Sequence, residues 1–147
     1  MLNDSLKVTG EVNIKVFGPN GELKKELNKS NLVVATGKNF IASRVARNDS
    51  VPMSHMAVGT GGSQVAVAAD ATLNNQLARI PIATPVVQNN VITFTGVFGP
   101  TFGTGTLSEA GIFNSPTAGT MLCRTTFPAV EKEEDDIIAV TWSITIN

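Results

Sequence analysis

Tyrosine is absent from this chain of 147 residues, and tryptophan, cysteine and histidine occur once each. The single cysteine, Cys123, excludes an intrachain disulfide and leaves no metal-ligand spacing to read. Set in an apolar run, it reads as a small core hydrophobe rather than a reactive thiol. His55 lies in an extended stretch with no neighbour suited to ligand or base chemistry, so no nucleophile, base and orienter can be assembled. No catalytic residue, cofactor or metal site is expected. The one dense charge run, Glu131 to Asp136, lacks the spacing and the glycine of a calcium loop and reads as a solvated turn.

Charge is also scarce. Charged residues make up 16% of the chain, against about 25% in an average globular protein, and the formal net charge is −1. With no cluster of more than two consecutive Lys or Arg, the chain offers no field to attract nucleic acid or an anionic membrane. No apolar run approaches membrane-spanning length, and MLNDSLKVTG lacks the basic and apolar regions of a signal peptide. The expectation is a protein made in a cytosol, whose final place depends on what it assembles with.

Thr, Asn, Ser and Gly fill the space that charge leaves, which suits β-sheets that pack against neighbours, since near-zero net charge favours association. The length predicts one domain over 1–147, with residues 1–10 a polar arm and 11–28 a β-hairpin. In the hairpin Val12, Ile14 and Val16 share one face, and Asn20-Gly21 supplies a turn that tolerates positive φ. A helix is predicted over 36–47, with Thr36 as its N-cap, an apolar side of Phe40, Ile41 and Val45, and Asn48-Asp49-Ser50 and Pro52 ending it.

Further along, Gly59-Thr60-Gly61-Gly62-Ser63 resembles a phosphate cradle but lacks the Lys-Ser/Thr of a P-loop and the third glycine of a dinucleotide site, so it reads as a flexible loop. The alanine-rich connection after Gln64 predicts at most two helical turns around Leu73 to Leu77, capped by Asp70 or Thr72. Strand patterns fill the rest. The last is the cleanest: Ile138, Val140, Trp142, Ile144 and Ile146 alternate with Ala139, Thr141, Ser143 and Thr145, which predicts a mid-sheet strand with one buried face. Eight to ten short antiparallel strands and one helix make the expected fold all-β, a jelly-roll-like β-sandwich.

Two charges sit inside apolar strands, Glu109 in Leu107 to Phe113 and Arg124 in Thr120 to Phe127. Either Glu109 faces solvent, or it is buried and paired with Arg124 or Arg79, because unpaired charges almost never enter a core. Simple alternation places Glu109 with Leu107, Gly111 and Phe113 on an apolar face, which favours burial.

The order of these blocks resembles that of small virion proteins of tailed bacteriophages. The helix TGKNFIASRV, the Ala57-x-Gly59-Thr60-Gly61 strand end, Thr72, Leu73, Leu77 and Arg79, then Glu109-x-Gly111-Ile112-Phe113, and finally Leu122-x-Arg124 carry the likeness. The last three blocks are similar to the N-terminal attachment region of phage tail-collar and tail-fibre proteins. The resemblance spans about 31–146 and implies a virion structural protein without enzymatic activity, located in the virion after assembly in the host cytoplasm. Such a protein would act as a homo-oligomer, for example a trimer, docking to other phage proteins at the tail, neck or fibre attachment. Fibre proteins continue into long shafts whereas this sequence stops after one domain, which favours an adaptor or collar subunit, with capsid decoration as the alternative. A carbohydrate-binding β-sandwich is a further alternative that the scarcity of aromatic platforms disfavours.

Overall fold

A computed structural model describes residues 4–47 and 51–147. The expected helix stop at Asn48, Asp49 and Ser50, and the first three residues of the expected arm, lie outside the described residues. In chain order the elements are β1 (Val8–Phe17), β2 (Leu23–Val33), α1 (Ala35–Ala46), β3 (His55–Gly59), β4 (Gln76–Pro81), β5 (Val86–Gln88), β6 (Val91–Phe98), β7 (Gly105–Phe113), β8 (Met121–Lys132) and β9 (Ile137–Ile146). Every strand pairing is antiparallel, so the fold is all-β with one helix among the described residues. β1 begins inside the stretch expected to be an arm. Lys7 and Asn147 exchange backbone hydrogen bonds of 3.1 and 2.7 Å, and Val8 to Gly10 continue that ladder against β9.

The nine strands form one sheet in the order β4-β3-β7-β8-β2-β1-β9-β6-β5. It curls over on itself at β2, which pairs with β1 as far as Asn31 and then with β8 through Leu32 and Val33. The two layers of the expected sandwich are thus halves of one sheet. Between them lie Val12 and Ile14 of β1, Met56 of β3, Phe98 of β6, Ile112 of β7 and Trp142 of β9. Burying a side chain of this size contributes about 1.5–3 kcal/mol. β9 sits between β1 and β6 with Ile138, Val140, Trp142 and Ile144 buried, as its alternation predicts. The indole nitrogen of Trp142 donates to Asn31 Oδ1 at 3.0 Å, and Gly10 leaves the room, since a Cβ there would overlap the Asn31 amide.

The β1–β2 turn is the one its Asn-Gly predicts: Gly21 has φ +79° and its N–H donates to Gly18 O at 3.0 Å. The helix is placed within a residue of its expected span, but two details differ. Thr36 is not the cap, because Val34 holds that position and the Thr36 hydroxyl donates instead to Met121 O at 2.9 Å. Val45 is not on the buried side and is 85% exposed. Close approach to β8 sets the helix: Gly37 lies against the Leu122 backbone, and a Cβ at 37 would overlap the Leu122 carbonyl.

No helix forms around Leu73 to Leu77. Up to Asn75 the chain is a turn-rich strap over the outer face of β3, β7 and β8, and Gln76 and Leu77 already belong to β4. The run 131–136 is also less solvated than expected, because β8 continues to Lys132, and Lys132 and Asp136 are buried. Lys132 Nζ donates to Gly99 O at 3.0 Å, while Asp136 accepts from Lys24 Nζ at 2.8 Å and from the Glu133 N–H at 2.9 Å.

Candidate functional site

The charged residues picked out in the sequence do meet, and Glu109 is buried on one face with Gly111 and Phe113 as alternation assigns, but Leu107 is not on that face. The pairing of β7 with β8 slips between Leu107 and Glu109, leaving Ser108 as an extra residue. Leu107 therefore joins the main core with Ala110 and Ile112, while Glu109, Gly111 and Phe113 turn outward beneath the strap. A second, smaller apolar cluster of Val34, Ala57, Leu73, Phe113 and Met121 fills that side. Leu73 fastens the strap there, its Cδ2 3.0 Å from where a Cβ would sit on Gly111, the position opposite Arg124.

Glu109 and Arg124 are both 0% exposed. Nε and Nη2 of Arg124 donate to Glu109 Oε2 at 3.0 and 2.9 Å. Three backbone N–H groups complete the carboxylate's shell, Asn74 to Oε2 at 3.0 Å, and Gly61 and Asn75 to Oε1 at 2.9 and 2.7 Å. The glycine-rich loop does cradle an anion, and the anion is the protein's own Glu109. A Cβ at Gly59 or Gly61 would crowd Glu109 Oε1, so the glycines are there to let backbone approach the carboxylate. The loop expected to be flexible is instead tied down, also through Gly62 N–H to Ser108 Oγ at 2.9 Å.

Arg124 is equally saturated. Nη1 donates to Asp70 Oδ2 at 3.0 Å, and Nη2 also reaches the carbonyls of Gly61 and Gln64 at 3.2 and 3.0 Å. Asp70 in turn accepts the Val67 N–H at 2.9 Å. Where a helical turn was expected, the N–H groups of Asn74 and Asn75 and the Asp70 carboxylate serve the pair instead.

Arg79, the other expected partner, is not in the network. Its guanidinium lies 3.7 Å above the centre of the Phe113 ring and donates to the carbonyls of Ser115 and Ala118 at 3.0 and 2.8 Å, closing the β7–β8 turn. Burial lowers its pKa from the ordinary arginine value. Asp70, Asn74 and Asn75 are members that sequence reasoning missed. The two asparagines act through backbone, which no side-chain pattern reveals, whereas an acid three residues beyond Val67 in an otherwise apolar connection was a usable signal for Asp70.

This cluster holds four chain segments together. His55 is half-buried, with Nδ1 2.8 Å from Ser54 Oγ, and burial and then the Arg79 charge lower its pKa. The Cys123 thiol is buried, and burial pushes its pKa well above 9.0. Among the described residues no group of three or more His, Cys, Asp or Glu is placed to hold a metal, and no helix is long and apolar enough to cross a membrane. An apolar groove of about 370 Å³ opens between α1 and the inner face of β5, β6 and β9, lined by Phe40, Ile41, Val87, Ile92, Phe94 and Ile144 among others.

No family model, curated protein or solved structure matches the chain.

Proposed function

We propose that the chain is a structural assembly subunit of a tailed-bacteriophage particle, a collar or adaptor piece at the tail, neck or fibre attachment that works by self-association and docking. The observation that supports this reading is convergence. The blocks that carry the resemblance, separated by up to 85 residues of sequence, all meet at or beside the Leu122 to Arg124 stretch of β8. Gly37 of the helix block lies on the Leu122 backbone, Gly61 accepts from Arg124, Leu73 covers Gly111, and Glu109 pairs with Arg124. One connected scaffold of this kind supports a reading in which the shared residues keep a shape for assembly. Arg79 extends the same scaffold to the β7–β8 turn.

The test is to purify particles from a phage whose genome carries this sequence and to count the chain by quantitative mass spectrometry. A copy number fitting one ring or a few trimers per particle is the expected result. Copies on the scale of the shell lattice would move the assignment to capsid decoration. Absence from intact particles would overturn the virion reading.

A further inference from the structure

The sheet runs continuously through β2, yet most of β2 has a strand on one side only. Its register with β1 extends from Leu23 to Asn31, whereas β8 meets it only at Leu32 and Val33. Among the described residues no other strand pairs with the far edge of residues 23–31, about 30 Å of extended chain. β8 is open on the matching side from Thr125 onward. Side chains tie the two edges at either end, Thr125 Oγ1 donating to Ser30 O at 2.9 Å and Lys24 Nζ to Asp136 Oδ2 at 2.8 Å. An open edge of this length is a template on which another chain can pair.

The core face of that edge carries charge. Lys29 stands opposite Val12, Leu27 opposite Ile14 and Lys25 opposite Val16, so the two lysines share a face with three core side chains. Leu27 is half-buried against the core, while both lysines are exposed. A core-face lysine that stays in water runs its stem along the rim of the core and puts its ammonium out through the gap between β2 and β8. Across that gap the open stretch of β8 contains Pro128, a residue that sheets admit at edges and bulges. Inward-pointing charges, lysines and prolines are the means by which natural sheets blunt an open edge.

We propose that Lys25 and Lys29 guard the β2 edge, keeping it from pairing with a strand of a second copy of this chain. A strand laid against the edge fills the gap through which the ammoniums reach water, and stripping an ion of its water is costly. Two copies paired edge to edge also bring their lysines together, like charge against like. Self-association of the kind proposed above then has to use another surface. The guard itself rests on the fold and not on the virion reading: particle counting can fail while the edge stays guarded, and the edge can prove unguarded in a chain found in particles.

The test is Lys25→Thr/Lys29→Thr, read by light scattering and by amide hydrogen exchange on the full chain. Losing two cations takes the formal net charge from −1 to −3, which on charge alone favours separation. The guard predicts the reverse. The mass should at least double over the parent's, and the outward amides of residues 24–31, fast to exchange in the parent, should gain protection. Lys25→Glu/Lys29→Glu keeps a charge at each position and should hold the parent's mass. Lys7→Thr/Lys38→Thr makes the same change in net charge elsewhere and should hold it too. A threonine pair at the parent's mass, or association of the glutamate or the control pair, would overturn the guard. So would protection of those amides in the parent, a measurement that needs no variant to fold.

Discussion

Arg124 reaches Glu109 diagonally across two paired strands, and both side chains are fully withdrawn from water. A buried ion pair is stabilising only where the remaining donors and acceptors are satisfied, because desolvating two charges costs several kcal/mol each. Here backbone N–H groups and carbonyls of the strap supply what is missing, so the pair and the strap depend on each other. The strap is also held by Leu73 in the smaller apolar cluster and by bonds such as Thr60 N–H to Asn75 O at 2.9 Å and Ala35 N–H to Ala68 O at 2.8 Å.

Arg79 and Glu109 should separate clearly on mutation. Glu109→Ala strands a guanidinium and is expected to cost about 3–5 kcal/mol. Arg79→Ala loses a stacked cation and hydrogen bonds at a half-buried site, for about 1–2 kcal/mol. Urea titration of both variants checks the order, and equal losses would contradict it.

Gly37→Ala should destabilise although alanine is the better helix former by about 1 kcal/mol. In a solvent-exposed helix the change would stabilise. Against the Leu122 carbonyl it forces the helix off β8, so a lowered melting temperature is expected, and a raised one would mean that the helix is not seated there.

The strands were legible in the sequence because burial on one face imprints a period of two, most clearly in β9, and Asn20-Gly21 marks the hairpin turn. The split between Leu107 in the main core and Glu109 beneath the strap was not, because the extra residue at Ser108 breaks the alternation of β7. The helix expected near Leu73 failed for a related reason. Its local propensity was overridden by backbone hydrogen bonds to a carboxylate 34 and 35 residues away. The burial of Lys132 and Asp136 was hidden by the company of Glu133, Glu134 and Asp135, which made the run look uniformly solvated.

Stability should respond to pH at both ends. The hydrogen bond from Lys24, aided by the Glu133 N–H, holds the Asp136 pKa below its ordinary 3.8. A depressed carboxylate stabilises the fold above the unfolded pKa and loses that contribution as pH falls through the folded one, so the gap between parent and Asp136→Asn should close below pH 3.8. Cys123 acts on the alkaline side. Burial raises its pKa, the folded chain keeps a proton that the unfolded chain releases above pH 9.0, and stability falls there by up to about 1.4 kcal/mol per pH unit. Cys123→Ala should remove that slope in paired melts across the range.

Truncation after Asp136 should abolish folding. Loss of Val140, Trp142 and Ile144 removes about 1.5–3 kcal/mol each, and together with the ladders to β1 and β6 this exceeds much of the usual 5–15 kcal/mol of a domain. Soluble, cooperatively melting truncated protein would contradict the placement of β9.

The central claim is that the motif blocks act as one scaffold through Glu109 and Arg124, and a double-mutant cycle on stability tests it most directly. Glu109→Ala, Arg124→Ala and the double variant are compared with the parent by chemical denaturation. The account predicts a coupling above about 2 kcal/mol, the double variant being far less damaged than the sum of the single ones. A coupling within about 0.5 kcal/mol of zero would contradict it.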